Sequence, residues 1–281
     1  MSLPARKKAF AYMFAGSLSF ALMGALARVA TQRLPFLEVV FFRSLIGLLM
    51  IVPVIHYKGQ SFRGRHPVFL TLRSFAGFAA LCLYFLALSG LPLGLAVMLN
   101  YTSPIFTVIL AAIFLKERLT LPVGAAVLAA FAGIGLLLKP GGDWAGWLPW
   151  VAVASGLLAA VAYVTIRYLG RFESPGTIIF YFCLFATLAS LPMMLVAGFV
   201  LPDTGQCLLL LGIGVVGTVG QMGMTTAYAY ADAGRVSTWS YITPLTAFLI
   251  GAGVWREIPD LWSALGSLLI IGSAVYLLRR D

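Results

Sequence analysis

Apolar runs alternate with short polar interruptions along the whole chain, at 9–27, 36–57, 67–88, 93–115, 120–138, 147–168, 175–198, 206–230, 235–255 and 260–278. Each is close to the roughly 20 residues that a helix needs to cross a hydrocarbon layer about 30 Å thick. Strands of a membrane barrel would be about half as long and would alternate polar with apolar positions. Helices also satisfy their own backbone hydrogen bonds in lipid. The pattern predicts an all-α membrane protein of ten transmembrane helices with short connections, the longest polar one running from Lys58 to His66.

The most distinctive stretch, Leu93 to Leu121, is written twice. Shifted by 140 positions, Gly94, Tyr101, Pro104, Ala112, Glu117 and Leu121 fall on Gly234, Tyr241, Pro244, Ala252, Glu257 and Leu261 without a gap. Scarce residues carry the match: a mid-segment Pro, the Tyr before it and the Glu after it. Ser103 on Thr243, Gly16 on Gly156 and Gly77 on Gly217 keep the same register. Two units follow, 1–140 and 141–281, each with five helices. Five is odd, so the second unit enters the membrane inverted relative to the first. Inverted repeats are the usual architecture of secondary transporters, with a substrate site near the midplane between the halves.

Composition fits this picture: 61% of residues are hydrophobic and 10% charged, and the mean hydropathy is +0.99. The net charge of +10 does not point to nucleic acid, because the basic residues sit between apolar runs and form no aromatic-laced patch. Thirteen of the Lys and Arg residues fall on the N-terminal side of the membrane and four on the other. By the positive-inside rule both termini are expected in the cytoplasm, at a bacterial inner membrane. Cys82, Cys183 and Cys207 are scattered without metal spacing, and neither metal nor cofactor is expected. Arg6, Lys7 and Lys8 before a run ending Ala25-Leu26-Ala27 look like a secretory leader. Its removal would leave nine spans and break the pairing of Gly16 with Gly156, so it is expected to stay. Gly212-Ile213-Gly214-Val215-Val216-Gly217 spells a dinucleotide fingerprint inside an apolar run with no strand before it, which predicts packing glycines.

Leu91-Pro92-Leu93 into Asn100-Tyr101-Thr102-Ser103-Pro104-Ile105-Phe106, then Leu115-Lys116-Glu117-Arg118-Leu119, resembles the signature of the drug/metabolite transporter superfamily, EamA-like branch. Glu38-Val39-Val40-Phe41-Phe42-Arg43 is similar to the corresponding stretch of the same branch. The resemblance covers the full chain and implies two inverted EamA units of five helices each. It implies transport of amino acids, other small metabolites, drugs, S-adenosylmethionine or nucleotide sugars. It also implies a central cavity lined by spans 1, 3, 4, 6, 8 and 9, with spans 5 and 10 packed outside. The second unit departs from the pattern, since Arg43 maps onto Cys183 and Asn100 onto Ser240.

Pro104 and Pro244 each lack an amide hydrogen and clash with the carbonyl four residues back, which predicts kinks that free the carbonyls of Asn100 and Ser240. Asn100, Pro104 and Thr107 share one helical face, as do Ser240, Pro244 and Ala247, and both faces are candidates for the cavity wall. Arg43 stands well inside span two, where a charge costs roughly 2.5–3.5 kcal/mol on insertion scales. It is read either as counter-charge to a substrate carboxylate or phosphate, which a guanidinium binds in bidentate fashion, or as a partner of Glu38. Arg73 is expected to reach the headgroups. Tyr84, Tyr101, Gln221, Trp239 and Tyr241 are polar-tipped candidates for holding an amphiphilic ligand. Glu38, Glu117 and Glu257 are expected to hold helix ends, with a gating role as the alternative. Trp144, Trp147, Trp150 and Trp262 read as interface anchors.

No Asp or Glu falls in the middle of a span, and His56 and His66 both flank the polar loop. Proton-coupled carriers keep a titratable group in their pathway, so facilitated transport or exchange is expected. The function read from the sequence is a secondary transporter that exports amino acids or related compounds by alternating access. Uptake or exchange of an adenosine-bearing metabolite such as S-adenosylmethionine is the alternative. A membrane-embedded transferase is more remote, because neither histidine lies in a motif. The expected partners are a small-molecule substrate and the lipid bilayer, with the chain acting as monomer or homodimer.

Overall fold

The structure, a computed structural model, describes residues 3–115, 121–138, 146–257 and 260–280. The helices are α1 (Leu3–Thr31), α2 (Phe36–Tyr57), α3 (Pro67–Gly90), α4 (Leu93–Asn100), α5 (Ser103–Phe114), α6 (Leu121–Leu138), α7 (Leu148–Leu169), α8 (Pro175–Ala197), α9 (Thr204–Tyr230), α10 (Ala233–Trp239), α11 (Ile242–Trp255) and α12 (Leu261–Arg280). Spans four and nine are each built from two pieces, α4 with α5 and α10 with α11, so the twelve segments make ten crossings. Seven of these stretches are individually long and apolar enough to cross a membrane. The remaining three are α6, α12 and the second broken span.

Local chemistry sets the boundaries. Proline opens α3 and α8, where a missing N–H costs nothing. The Ser174 hydroxyl accepts from the Thr177 amide at the start of α8. Asp203 and Gln206 form a reciprocal capping box at the start of α9. The two breaks fall just before Pro104 and Pro244. At the first, the Thr102 amide donates to the Leu99 carbonyl at 3.2 Å and the Ile105 amide to the Thr102 carbonyl at 3.0 Å, a tightened 3₁₀-type turn. At the second, the Ser240 carbonyl accepts from the Thr243 amide at 2.9 Å. That carbonyl is therefore taken up by the turn itself, contrary to the expectation that Pro244 would leave it free.

Helix packing obeys the duplication. Exchanging each helix for its repeat partner turns the α1–α9 contact into α7–α3, and α2–α9 into α8–α3. It turns α4–α11 into α10–α5, and α1–α11 into α7–α5. The pairs α2–α8 and α6–α12 map onto themselves. This is the packing of two inverted five-helix units related by a pseudo-two-fold axis. Large apolar side chains such as Leu49, Val68, Leu249 and Leu268 stay exposed around the outside. On a soluble protein they would be a liability; in a bilayer they meet acyl chains.

Glycine contacts bring helices to backbone distance, two of them most closely. A Cβ added to Gly223 of α9 would lie 2.5 Å from the Tyr12 carbonyl oxygen of α1. One added to Gly156 of α7 would lie 2.6 Å from the Asn100 carbonyl oxygen at the break in span four. Both neighbours are backbone and cannot swing aside.

Among the described residues each membrane face carries an ion pair, the first joining the two halves and the second lying within unit 141–281. On the face opposite the N-terminus, Arg28 Nη2 lies 2.5 Å from Glu257 Oε1. Arg28 Nη1 also donates to the Leu91 carbonyl, while Glu257 Oε2 accepts from the Leu93 amide at 3.0 Å. On the N-terminal face, Arg167 Nη2 lies 2.7 Å from Asp232 Oδ1, and Arg167 Nη1 donates to the Tyr228 carbonyl at 3.2 Å. Arg28 and Arg167 stand in the last turns of α1 and α7, the first helices of the two units, and each reaches a carbonyl at the end of its own unit's third helix. Glu257 thus holds a helix junction, though through Arg28 and the α3–α4 turn. Its repeat mate Glu117, and Trp144, lie outside the described residues.

Gly156→Ala and Gly223→Ala are each expected to cost about 1–3 kcal/mol through overpacking. Gly135→Ala, where an added Cβ meets nothing within 4 Å, is expected to cost nothing. Thermal unfolding of the purified protein separates these outcomes. Glu257→Ala should destabilise by about 1–3 kcal/mol because it also strands a backbone amide. Asp232→Ala removes a more exposed carboxylate and should cost under about 1 kcal/mol. Equal losses in the same assay would count against the different weights given to the two faces.

Candidate functional site

Of the chain's nineteen lysines and arginines, Arg43 and Arg73 alone stand well inside a span. Each lies roughly 10 Å of helical rise from the start of its helix, Arg43 in α2 and Arg73 in α3. Both side chains are buried, at 2% exposure each. They converge on one aromatic ring, Phe182 of α8, whose centroid is 5.1 Å from the Arg43 guanidinium carbon and 4.1 Å from that of Arg73. Both distances are within cation–π range.

The Nε and Nη1 atoms of both arginines are buried without a hydrogen-bond partner. Glu38, placed a turn and a half before Arg43, does not pair with it. Its Oε2 instead accepts from the Val200 amide at 3.1 Å, tying the start of α2 to the loop between α8 and α9. Arg73 does not reach the headgroups either, since its head turns inward onto Phe182. The sequence suggested an anchor because Arg73 lies near the start of its span, and the inward direction of its side chain carries no one-dimensional signal.

The two guanidiniums border a cavity of about 650 Å³, counting space open at its mouth. Its walls come from both units: α2, α3 and α4 with Arg43, Arg73, Tyr84 and Asn100, and α7, α8, α9 and α11 with Tyr163, Phe182, Gln221 and Thr243. Tyr101 at the break in span four and Phe20 and Met23 of α1 complete it. Among the described residues, none that lines it is acidic or a histidine.

Of the residues singled out from the sequence, Arg43, Tyr84, Asn100, Tyr101 and Gln221 line this cavity. Asn100 is fixed by a 2.7 Å hydrogen bond to Ser155 of α7. Thr107 does not line it: its hydroxyl folds back onto the Ser103 carbonyl at 2.7 Å. The tightened turn between Asn100 and Ser103 interrupts the helical face that Asn100, Pro104 and Thr107 were expected to share. On span nine, Ser240 donates to the Ser237 carbonyl at 2.6 Å. Trp239 packs edge-on against Phe10, and Tyr241 is buried outside the lining. Thr243 takes the place expected for them, and its hydroxyl also donates to the Ser17 carbonyl at 3.2 Å.

Sequence reasoning missed Arg73, Tyr163 and Phe182. A signal existed for the arginines in the glycines that match under the 140-residue shift. A Cβ on Gly77 would lie 2.7 Å from Arg73 Nη1, and one on Gly217 would lie 3.2 Å from Arg43 Nε. Each repeat-related glycine makes room for one guanidinium. Gly217 is also the last glycine of the fingerprint-like run, and Gly214 of that run packs against Ile46. These glycines serve helix contact.

Comparison with known proteins points the same way as this geometry. The profile of the EamA-like transporter family matches twice, over residues 7–139 and 147–279. The pseudopaline exporter of Pseudomonas aeruginosa is 34% identical over 268 residues, which is 94% of this chain and 93% of that protein. The riboflavin transporter of Rhizobium johnstonii is 26% identical over 273 residues, 96% of this chain and 90% of that protein. A solved crystal structure 23% identical in sequence superimposes with a TM-score of 0.75 over 98% of both chains, which establishes the shared fold. The chain is a multi-pass integral membrane protein and belongs to the EamA-like transporter family.

Proposed function

We propose that this transporter is a secondary exporter of small organic acids of the amino-acid type. The cargo is held between Arg43 and Arg73 and released when units 1–140 and 141–281 rock against each other. One observation carries the reading: Arg43 and Arg73, buried with Nε and Nη1 atoms that have no protein partner, border a cavity whose lining, among the described residues, holds no carboxylate. A buried charge with no protein partner is costly, and an anionic cargo relieves that cost when it binds. Because both units contribute walls, access from either face requires their relative motion. A single chain supplies the whole cavity, so a monomer suffices as the transport unit.

The sequence likeness to a pseudopaline exporter supports export as the direction. The excess of Lys and Arg on the N-terminal side supports cytoplasmic termini at a bacterial inner membrane. Electrostatics weighs against S-adenosylmethionine, whose sulfonium would sit beside two guanidiniums. Like charges 4 Å apart repel by about 4 kcal/mol at an effective dielectric constant of 20. Asn100, Tyr84, Tyr101, Tyr163 and Gln221 offer neutral hydrogen-bonding groups for the rest of the cargo. With no carboxylate or imidazole in the lining, the reading is facilitated transport or exchange.

Counterflow in reconstituted vesicles, run with labelled acidic, neutral and basic amino acids and nucleosides, tests the proposal. Acidic and zwitterionic compounds should exchange and cationic ones should not. Arg43→Ala should slow exchange at least tenfold, matching about 1.5–3 kcal/mol for a charge-assisted hydrogen bond. An imposed pH gradient should change the rate little. Unchanged exchange in Arg43→Ala, or proton-driven transport abolished by a Glu38 substitution, would overturn it.

A further inference from the structure

We infer that Arg43 and Arg73 form a two-point clamp that selects cargo bearing two separate anionic groups, with Phe182 as the bed between them. The inference rests on the transporter reading above and narrows its substrate class. Three observations converge on it.

The first is charge balance. Two guanidiniums sit closer together than the sum of their distances to the Phe182 ring, 5.1 and 4.1 Å. The cavity walls from α1, α2, α3, α7, α8, α9 and α11 supply no anion, and Glu38 is engaged at the Val200 amide. A monoanion leaves one of the two cations uncompensated in a low-dielectric setting, whereas a dianion neutralises both. The second is donor geometry. Nε and Nη1 of each arginine have no protein partner, so each of the two heads keeps hydrogen-bonding capacity that an anionic group of the cargo would take up.

The third is that the site is built rather than incidental. Gly77 and Gly217, equivalent under the 140-residue repeat, each leave space for one guanidinium that a Cβ would crowd. The repeat mate of Arg43 is Cys183, and that of Arg73 is Ile213, so the second unit brings no further cation. Charge recognition belongs to the first unit, and the second contributes the aromatic surface on which both heads rest. Phe182 also gives an apolar face to whatever links the two anionic groups of the cargo.

The clamp predicts a length-dependent preference that equilibrium binding can read independently of transport. Purified full-length protein is titrated at constant ionic strength with straight-chain α,ω-dicarboxylates of about three to eight carbons and with monocarboxylates of matched length, and thermal shift reports affinity. One span of dicarboxylate lengths should bind at least tenfold more tightly than its monocarboxylate counterparts. Arg43→Gln and Arg73→Gln should each reduce that preference to the monocarboxylate level. Equal affinity for mono- and dicarboxylates, no binding at any length, or a preference that survives both substitutions would overturn the clamp. Should either variant fail to fold, the ladder on the unaltered protein decides alone. Exchange of a monoacid in vesicles without any dicarboxylate preference would leave the transporter reading standing and end this one.

Discussion

A charge buried at bilayer depth must be compensated, and in this molecule the described residues compensate it only in part. Arg43 and Arg73 each place a guanidinium against Phe182 with donors unpartnered. Cation–π contact supplies part of the stabilisation, on the order of 0.5–2 kcal/mol each. That falls short of the cost of desolvating two ions. The deficit disappears when an anion enters. The rest of the architecture can be understood as what holds this deficit in place: glycines that admit the two heads, broken helices that bring Asn100, Tyr101 and Thr243 to the same cavity, and ion pairs that close the bundle at each face.

Duplication supplies the scaffold and departure from duplication supplies the chemistry. The helix pairings are symmetric, and so is the placement of Gly77 and Gly217 beside the arginines. Both faces also use the same device, an arginine in the last turn of a unit's first helix bonding to a carbonyl at the end of that unit's third helix. The residues at the centre do not follow this symmetry. Both cations come from the first unit, and their repeat mates are Cys183 and Ile213. An inverted repeat allows two faces to open alternately with similar contacts. On the reading proposed above, an asymmetric centre would let one oriented cargo be gripped throughout.

The fold was legible because its signals are long and redundant. Ten apolar runs, an exact shift of 140 and a lopsided distribution of basic residues each constrain the same architecture. The breaks in spans four and nine were announced by Pro104 and Pro244. What lay beyond the sequence was the direction of individual side chains after those breaks. The face through Asn100 and Thr107 assumed continuous helical steps, and a short 3₁₀-type turn ended that continuity. Ser240 was placed by analogy with span four, and Trp239 and Tyr241 by their polar tips, yet Thr243 is the residue of span nine that lines the cavity. Phe182 gave no signal at all, since one phenylalanine among twenty in an apolar chain looks like packing. Its role emerges only when two helices distant in sequence deliver an arginine each to its ring.

The most direct test of the central claim is a structure of the protein with its physiological cargo bound. The account places anionic oxygens of that cargo about 2.7–2.9 Å from guanidinium nitrogens of both Arg43 and Arg73. It would be contradicted by a cargo lodged elsewhere in the bundle while both arginines turn to protein carbonyls or water.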